Sequence, residues 1–240
     1  MRSTLEEQTQ TRMNTGGREN ARVGFRSKDA FAILFLLLLA SFVFYVAGGG
    51  HAWSRIVGGV LSATTLVLAG RGAQASRAWI LYGWLSLGLL GLAAILGEVI
   101  GQRGFLGVTY LLHVVLFLFT MFLIVRRLAH SREITISSVA GALCLYVLIG
   151  MVFAGVFVAI ALFSGQPFLQ SADPDVRLRI GDYFYFSFVT MTTTGFGDVF
   201  PATSMARALS MVEAVLGQLF LATLVARLVS VAGLKRAKAV

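Results

Sequence analysis

Residues 190–201 read TMTTTGFGDVFP, and the run TTGFG at 193–197 decides how the rest of the chain is interpreted. Two glycines flank a single aromatic residue, and glycine adopts backbone conformations that other L-residues avoid. With this spacing, successive carbonyl oxygens can face one side of the chain and replace the water shell of an ion in a narrow pore. One chain supplies one such strand, so the mechanism implies an oligomer, most naturally of four chains.

The stretch TTTGFGD at 192–198 resembles the signature sequence of the potassium channel family. The resemblance covers residues 138–230. Within it, the family's characteristic positions are Tyr185, Phe186, Ser187 and Thr190 upstream of the signature, and Pro201, Arg207 and Gly217 downstream. The resemblance implies a tetrameric pore of two membrane-spanning helices, with a re-entrant helix and a selectivity filter between them.

The resemblance also implies roles for individual residues. The ion-binding oxygens of the filter belong to Thr193, Thr194, Gly195, Phe196 and Gly197, with K⁺ held at the first four. The residues expected to support the filter are Asp198, Thr190 and Tyr185, and those expected to face the cavity are Gln218, Leu221 and Val225.

Two filter positions depart from the commonest form of the family. Thr194 replaces the usual Val, and Phe196 replaces the usual Tyr. Neither change removes a backbone oxygen, so selectivity through carbonyl groups should survive both. Phe196 lacks the hydroxyl that braces the filter from behind, and this bears on filter rigidity and inactivation. A cation channel that discriminates poorly is therefore an alternative.

The composition is that of an integral membrane protein. The chain is 57% hydrophobic and 13% charged, whereas a soluble domain is about 45–50% apolar and about 25% charged. The net charge of +9 follows from basic residues beside the predicted spans, so we expect no nucleic-acid partner. The single cysteine, Cys144, excludes a disulfide within the chain.

The apolar pattern predicts an all-α membrane protein with six transmembrane helices. A span needs about 20 apolar residues. The candidate spans are 30–49, 53–70, 79–100, 105–125, 137–163 and 204–229. With the N-terminus inside, most basic residues of the loops and span ends also lie inside, as the positive-inside rule requires. Both termini are then cytoplasmic, and the re-entrant helix and filter lie between the fifth and sixth spans.

This pattern divides the chain into four parts. They are a disordered basic cytoplasmic tail (1–28), a four-helix membrane domain (29–133), a pore domain (134–230) and a short cytoplasmic tail (231–240). A voltage sensor needs about 3–4 gating charges in each subunit, and the span 105–125 contains no Arg or Lys. We therefore expect weak voltage dependence.

Three further residues around the pore have predicted roles. Asp182 can cap a short re-entrant helix that reaches about Met191. Gly217, near the middle of the last span, is either a bending point or a close helix contact. Glu213 is a costly carboxylate within a span, and we expect it to hydrogen-bond the re-entrant helix, at Thr190. A pore-lining charge is the alternative.

Glu98 and His113 are the acidic and basic groups that lie well inside the first four spans. They either pair and sense pH or are singly satisfied polar groups at helix contacts. They also support a rival hypothesis, a transporter or membrane enzyme with a vestigial pore unit. A third hypothesis is a non-conducting partner subunit.

The leading hypothesis is a homotetrameric, potassium-selective channel and not an enzyme. We expect no cofactor, since K⁺ is the permeant ion. Paired carboxylates, metal-spaced histidines, a nucleophile motif and a phosphate-binding loop are absent from the sequence. The partners are then the lipid bilayer and other copies of the chain, with room for an unknown regulatory subunit. Short loops without glycosylation acceptor sites favour a bacterial inner membrane.

Overall fold

The computed structural model describes residues 27–48, 52–72, 88, 103–129 and 136–237. These residues are mostly helical. In chain order the elements are α1 (Ser27–Ala47), α2 (Ala52–Gly72), α3 (Arg103–Ala129), α4 (Ile136–Ser164), β1 (Leu169–Ser171), α5 (Ile180–Met191), β2 (Val199–Pro201) and α6 (Ser204–Ala237). Apart from Gly88, the predicted third span 79–100 falls outside these ranges, as do residues 1–26 of the predicted tail.

Among the described residues, three helical segments are long and apolar enough to cross a membrane. They are Gly104–Ala129, Ser138–Ser164 and Ser204–Val229, and two shorter apolar segments are Phe31–Ala47 and Val57–Ala69. These helices make the chain a multi-pass membrane protein. The full six-span arrangement stays a prediction. Helix α6 continues to Ala237, so the predicted tail 231–240 is helical over most of its length.

Helix α1 buries one face against α2, α4 and α5. Its buried residues recur every three or four positions, which places them on one side of a helix. They are Phe31, Leu34, Leu38, Ser41 and Tyr45. The ring of Tyr45 stacks on Phe184 of α5, with 4.6 Å between the ring centroids, and the ring of Phe42 lies 4.0 Å from that of Phe188. The first helix of the chain thus forms part of the wall around α5.

Gly181 allows this close approach of α1 to the first turn of α5. A Cβ atom at this position would lie 2.8 Å from the carbonyl oxygen of Val46 and 2.9 Å from that of Tyr45. Both atoms belong to the backbone, so they cannot rotate away as a flexible side chain could.

We expect Gly181→Ala to lower the melting temperature of the purified protein, because the new methyl group must push α1 and α5 apart. Overpacking of this kind costs about 1–3 kcal/mol. Gly104→Ala is the control, since a Cβ there meets no atom within 4 Å. Both variants replace a helical glycine by alanine, so both have the same gain in helix propensity. Equal melting temperatures for the two variants would show that the α1–α5 contact contributes little.

A two-stranded antiparallel ribbon holds the chain on both sides of α5. Strand β1 pairs with β2 in the register Leu169 with Pro201. Just beyond the paired strands, the N–H of Ala172 donates to the carbonyl of Asp198 at 2.8 Å. Leu169 is buried, so the ribbon is anchored on the core. The end of the TTTGFGD stretch is therefore fixed to the loop before α5.

Candidate functional site

Helix α5 is a short helix that packs against α1, α4 and α6. Its 12 residues span about 18 Å at 1.5 Å per residue, whereas the hydrocarbon core of a bilayer is about 30 Å thick. It is therefore too short to cross a membrane. Its buried residues include Phe184, Ser187 and Met191, which follow one another at helical spacing on a single face.

The start of α5 differs from the predicted cap. Arg179, with extended backbone angles, is the N-cap residue, and Asp182 is the third helical residue. The Asp182 carboxylate accepts a hydrogen bond from the backbone N–H of Arg179 at 2.5 Å. Asp182 still supplies a negative charge to the first turn, where the helix dipole favours it.

The backbone of the loop that follows α5 alternates in handedness. Thr193, Gly195 and Gly197 have φ angles of 58°, 56° and 82°, whereas Thr194 and Phe196 between them do not have positive φ. Glycine adopts such angles readily, but for a β-branched residue they are rare and cost about 1–3 kcal/mol. The strain at Thr193 points to a function that requires this conformation.

Hydrogen bonds tie the start of this loop to the end of α5. The N–H of Thr193 donates to the carbonyl of Thr190, and that of Thr194 donates to Val189, both at 2.9 Å. The hydroxyls of Thr192 and Thr194 also share a hydrogen bond of 2.9 Å. Thr190 thus contacts the loop through its main chain. The loop begins at the C-terminal end of the helix dipole, whose partial negative charge favours a cation.

Tyr185 lies on α5 and Asp198 directly follows the loop residues 193–197. The two side chains contact each other. The hydroxyl of Tyr185 donates to a carboxylate oxygen of Asp198 at 2.9 Å. The same ring stacks nearly parallel to that of Phe196, with 6.4 Å between centroids. One side chain of α5 therefore touches both the aromatic residue of the loop and the acid that ends it, although Phe196 itself has no hydroxyl to offer.

Glu213 of α6 points at α5, but its partner is not the predicted one. The hydroxyl of Ser187 hydrogen-bonds the Oε1 atom of Glu213, and no bond joins Glu213 to Thr190. Ser187 precedes Thr190 by about one helical turn, so the observed contact lies one turn nearer the start of α5 than the predicted one. Glu213 is fully buried, which argues against a pore-lining charge within this chain.

Gly217 is the point at which α6 touches the end of α5. A Cβ at this position would lie 2.5 Å from Cγ and 2.8 Å from the carbonyl oxygen of Met191. The close helix contact is therefore present, whatever bending Gly217 also permits. The neighbouring Gln218 reaches the same carbonyl with its side-chain amide at 3.5 Å.

The remaining predicted cavity residues differ in exposure. Leu221 is half-buried and Val225 is exposed, and both follow Gln218 at helical spacing along α6. Their contribution to a cavity stays a prediction, because a single chain encloses no pore.

Within one chain, the loop and much of α6 are uncovered. Phe196 is 68% exposed, and 17% of the apolar stretch of α6 is buried, compared with 61% for α4. The large apolar side chains exposed on α6 are Met205, Met211, Val212, Val215, Leu216, Leu219, Val225 and Val229. An apolar surface of this length is typical of a face that contacts lipid or another protein.

Glu98 lies outside the described residues, so its pairing with His113 stays a prediction. His113 is buried in α3, and its Nδ1 atom is 2.9 Å from the carbonyl of Thr109. The Nε2 atom has no hydrogen-bond partner within the described ranges. The His113 ring lies among Tyr45, Tyr110 and Phe117, away from the loop after α5.

Three residues that hold this region were given no role by the sequence: Ser187, which the resemblance includes without a function, Met191 and Thr192. A hydroxyl among the aromatic residues of an apolar helix must find a partner when it is buried, and this signal could have identified Ser187. Thr192 is the C-cap of α5 and could have been found from its position between helix and loop. Nothing in the sequence marks Met191 as the residue that meets Gly217.

Comparison with known protein families identifies the region that contains α5 and the loop after it. A family model described as "Ion channel" matches residues 143–233. The human protein potassium voltage-gated channel subfamily A member 6 is 34% identical over 84 residues, which are 34% of this chain and 16% of that protein. The match therefore spans about one sixth of that relative's length. No solved structure matches the chain.

The matched segment contains α4 from residue 143, the ribbon, α5, the TTTGFGD loop and α6 as far as residue 233, which together we name the pore unit. The short helix α5 and the loop of alternating handedness both lie within this segment, and the chain is similar over 84 residues to a potassium channel. Residues 143–233 therefore match the ion channel family, and the chain is similar to one part of a potassium channel.

Proposed function

We propose that four copies of this chain form a potassium-selective channel that conducts K⁺ passively across a membrane. Main-chain oxygens of residues 193–197 from each copy would surround a common axis and replace the hydration shell of the ion. The permeant ion is then the only ligand of the site, and the protein is not an enzyme.

The alternating handedness of the loop carries this proposal. A residue with left-handed backbone between residues without it turns successive peptide groups so that their oxygens can share one side. Thr193, Gly195 and Gly197 provide this alternation, with φ between 56° and 82°. Thr193 does so at a conformational cost, which is explained if its carbonyl and hydroxyl oxygens coordinate an ion.

The exposure of the loop supports the tetramer. Residues 192–198 are exposed in the single chain, and one strand of carbonyl groups cannot surround an ion. Symmetric homo-oligomers are the commonest assemblies, and the apolar face of α6 offers a surface on which neighbouring copies would pack. Gln218, Leu221 and Val225 would then face the central cavity below the filter.

The acidic residues around the loop support cation conduction. Asp173, Asp175 and Asp198 are exposed and would raise the local cation concentration at the outer mouth. The side on which they lie follows from the proposed topology, in which both termini are cytoplasmic and the membrane is a bacterial inner membrane.

We propose that the channel is weakly voltage-dependent. The Arg residues of α3 lie at its ends, at Arg103 and in the last turn at Arg126 and Arg127. Charges at the ends of a helix cross little of the membrane field, whereas steep gating needs about 3–4 charges per subunit within it.

The test is flux through the purified protein in liposomes. We expect K⁺ to flow down its gradient without an energy source, with Na⁺ flux at least about tenfold smaller and Ba²⁺ blocking both. A tenfold ratio corresponds to about 1.4 kcal/mol of discrimination between the two ions. Empty liposomes and liposomes with unfolded protein are the controls.

The other outcomes of this experiment distinguish the rival hypotheses. Equal K⁺ and Na⁺ flux would contradict selectivity and favour a poorly discriminating cation channel. Flux that needs an energy source would favour a transporter that uses Glu98 and His113. Absence of flux from well-folded tetramers would favour a partner subunit.

A further inference from the structure

Glu213 is an acidic side chain with no exposure to solvent, in the first half of the membrane-spanning helix α6. It faces the C-terminal half of α5. The described residues provide neither an ion pair nor a hydrogen bond for its Oε2 atom. A buried carboxylate without a compensating cation is costly, and such a group avoids the cost by carrying a proton.

The geometry around Ser187 restricts where protons can be. The Oγ atom of Ser187 is 2.7 Å from the carbonyl oxygen of Gly150 in α4, and it also hydrogen-bonds Oε1 of Glu213. Both neighbours are oxygens, and each close oxygen–oxygen approach needs one proton between the two atoms. A serine hydroxyl supplies one proton only.

Counting protons identifies the missing donor. A peptide carbonyl cannot donate, so the proton of Ser187 must lie on the side of Gly150. The lone pairs of the hydroxyl then face Glu213, which can hydrogen-bond them only as a protonated acid. If Glu213 were ionised, one of the two oxygen–oxygen contacts would have no proton and would be repulsive.

We propose that Glu213 is a neutral carboxylic acid that donates a hydrogen bond to Ser187, which in turn donates to Gly150. We name this chain of bonds the Glu213–Ser187–Gly150 relay. It joins α6, α5 and α4 behind the loop 193–197. Glu213 is a positioning residue. The proposal rests on the proposed function in one respect, because it takes the loop that the relay positions to be the selectivity filter.

The relay acts on the filter through α5. Ser187 precedes Thr190 by three residues, and the Thr190 carbonyl accepts the N–H of Thr193. A shift of α5 along its axis would therefore be passed to the first residue of the filter. Since Met191 and Gly217 are also in contact, the relay and this contact together fix the C-terminal half of α5 against α6.

Substitutions of Glu213 and Ser187 that keep or remove a hydrogen-bond donor distinguish an effect of the relay from an effect of packing alone. Glu213→Gln keeps the shape and supplies an N–H donor in place of the acid proton, so we expect wild-type selectivity. Glu213→Met keeps the volume without a donor, and Ser187→Ala removes the middle of the relay. For these two we expect the K⁺-to-Na⁺ flux ratio to fall severalfold and the melting temperature to drop.

The protonation state has a direct signature in the infrared spectrum. At neutral pH, exposed carboxyl groups are ionised, whereas a protonated acid shows a carbonyl stretching band distinct from that of carboxylates. We expect this band in the purified wild-type protein and its loss in Glu213→Gln. An identical spectrum in the two proteins would overturn the proposal, as would Glu213→Gln failing in flux as severely as Glu213→Met.

The infrared and melting measurements do not depend on conduction. If the purified protein shows the acid band but conducts no K⁺, the relay stands and the proposed function fails. If it conducts K⁺ selectively but lacks the band, the proposed function stands and the relay fails.

Discussion

Replacement of Gly195 or Gly197 by alanine is expected to abolish potassium-selective flux. Both glycines have positive φ, which costs an alanine about 1–2 kcal/mol. In a tetramer the cost is incurred four times, about 4–8 kcal/mol for each site, so the filter should leave the conducting conformation. The measurement is K⁺ and Na⁺ flux in liposomes, with tetramer assembly checked in detergent.

Gly165→Ala is a matched control for these variants. Gly165 has φ of 64°, and a Cβ there would meet no atom within 4 Å. The variant Gly165→Ala therefore introduces the same backbone strain in the turn after α4, outside the filter residues 193–197. We expect the three variants to lose similar stability and only Gly195→Ala and Gly197→Ala to lose flux. Normal selectivity in both filter variants would mean that their backbone conformation is not needed for conduction.

The second large effect is expected at Gly217. The methyl group of Gly217→Ala would lie 2.5 Å from Cγ and 2.8 Å from the carbonyl oxygen of Met191. Met191 is fully buried at the end of α5, and its backbone cannot move without moving the start of the filter. We expect K⁺ flux to fall by at least about tenfold, which corresponds to about 1.4 kcal/mol.

A second substitution distinguishes contact from bending at Gly217. Met191→Ala removes Cγ and therefore relieves the closest of the two clashes. We expect the double variant Gly217→Ala with Met191→Ala to recover part of the flux, and Met191→Ala alone to conduct. If Gly217 serves only as a bending point of α6, trimming Met191 will recover nothing.

The sequence predicted the elements of the pore unit better than the contacts between them. The spacing of Gly195 and Gly197 indicated the loop, in which both glycines have positive φ, whereas the need for several chains stays a prediction. The short aromatic run before it was too brief for a span, which indicated a re-entrant helix. Both signals are local, and local signals can be read directly from residue type and spacing.

The partners of buried groups depend on how helices are placed against one another, which residue spacing does not encode. Glu213 meets Ser187 rather than Thr190, and the two hydroxyls lie only about one turn apart along α5. The packing of α1 on α5 is a contact between helices separated by more than 130 positions in the chain. Neither the periodicity of α1 nor its composition indicates which helix it will cover.

The central claim is that four copies bring the oxygens of residues 193–197 to a common axis and that dehydrated K⁺ passes along it. Anomalous scattering from Rb⁺ in crystals of the full-length protein tests this directly, since Rb⁺ replaces K⁺ and is visible. We expect a row of Rb⁺ sites on a fourfold axis, each surrounded by these oxygens. The claim is contradicted if the same oxygens face lipid or a neighbouring helix and no Rb⁺ lies on a shared axis.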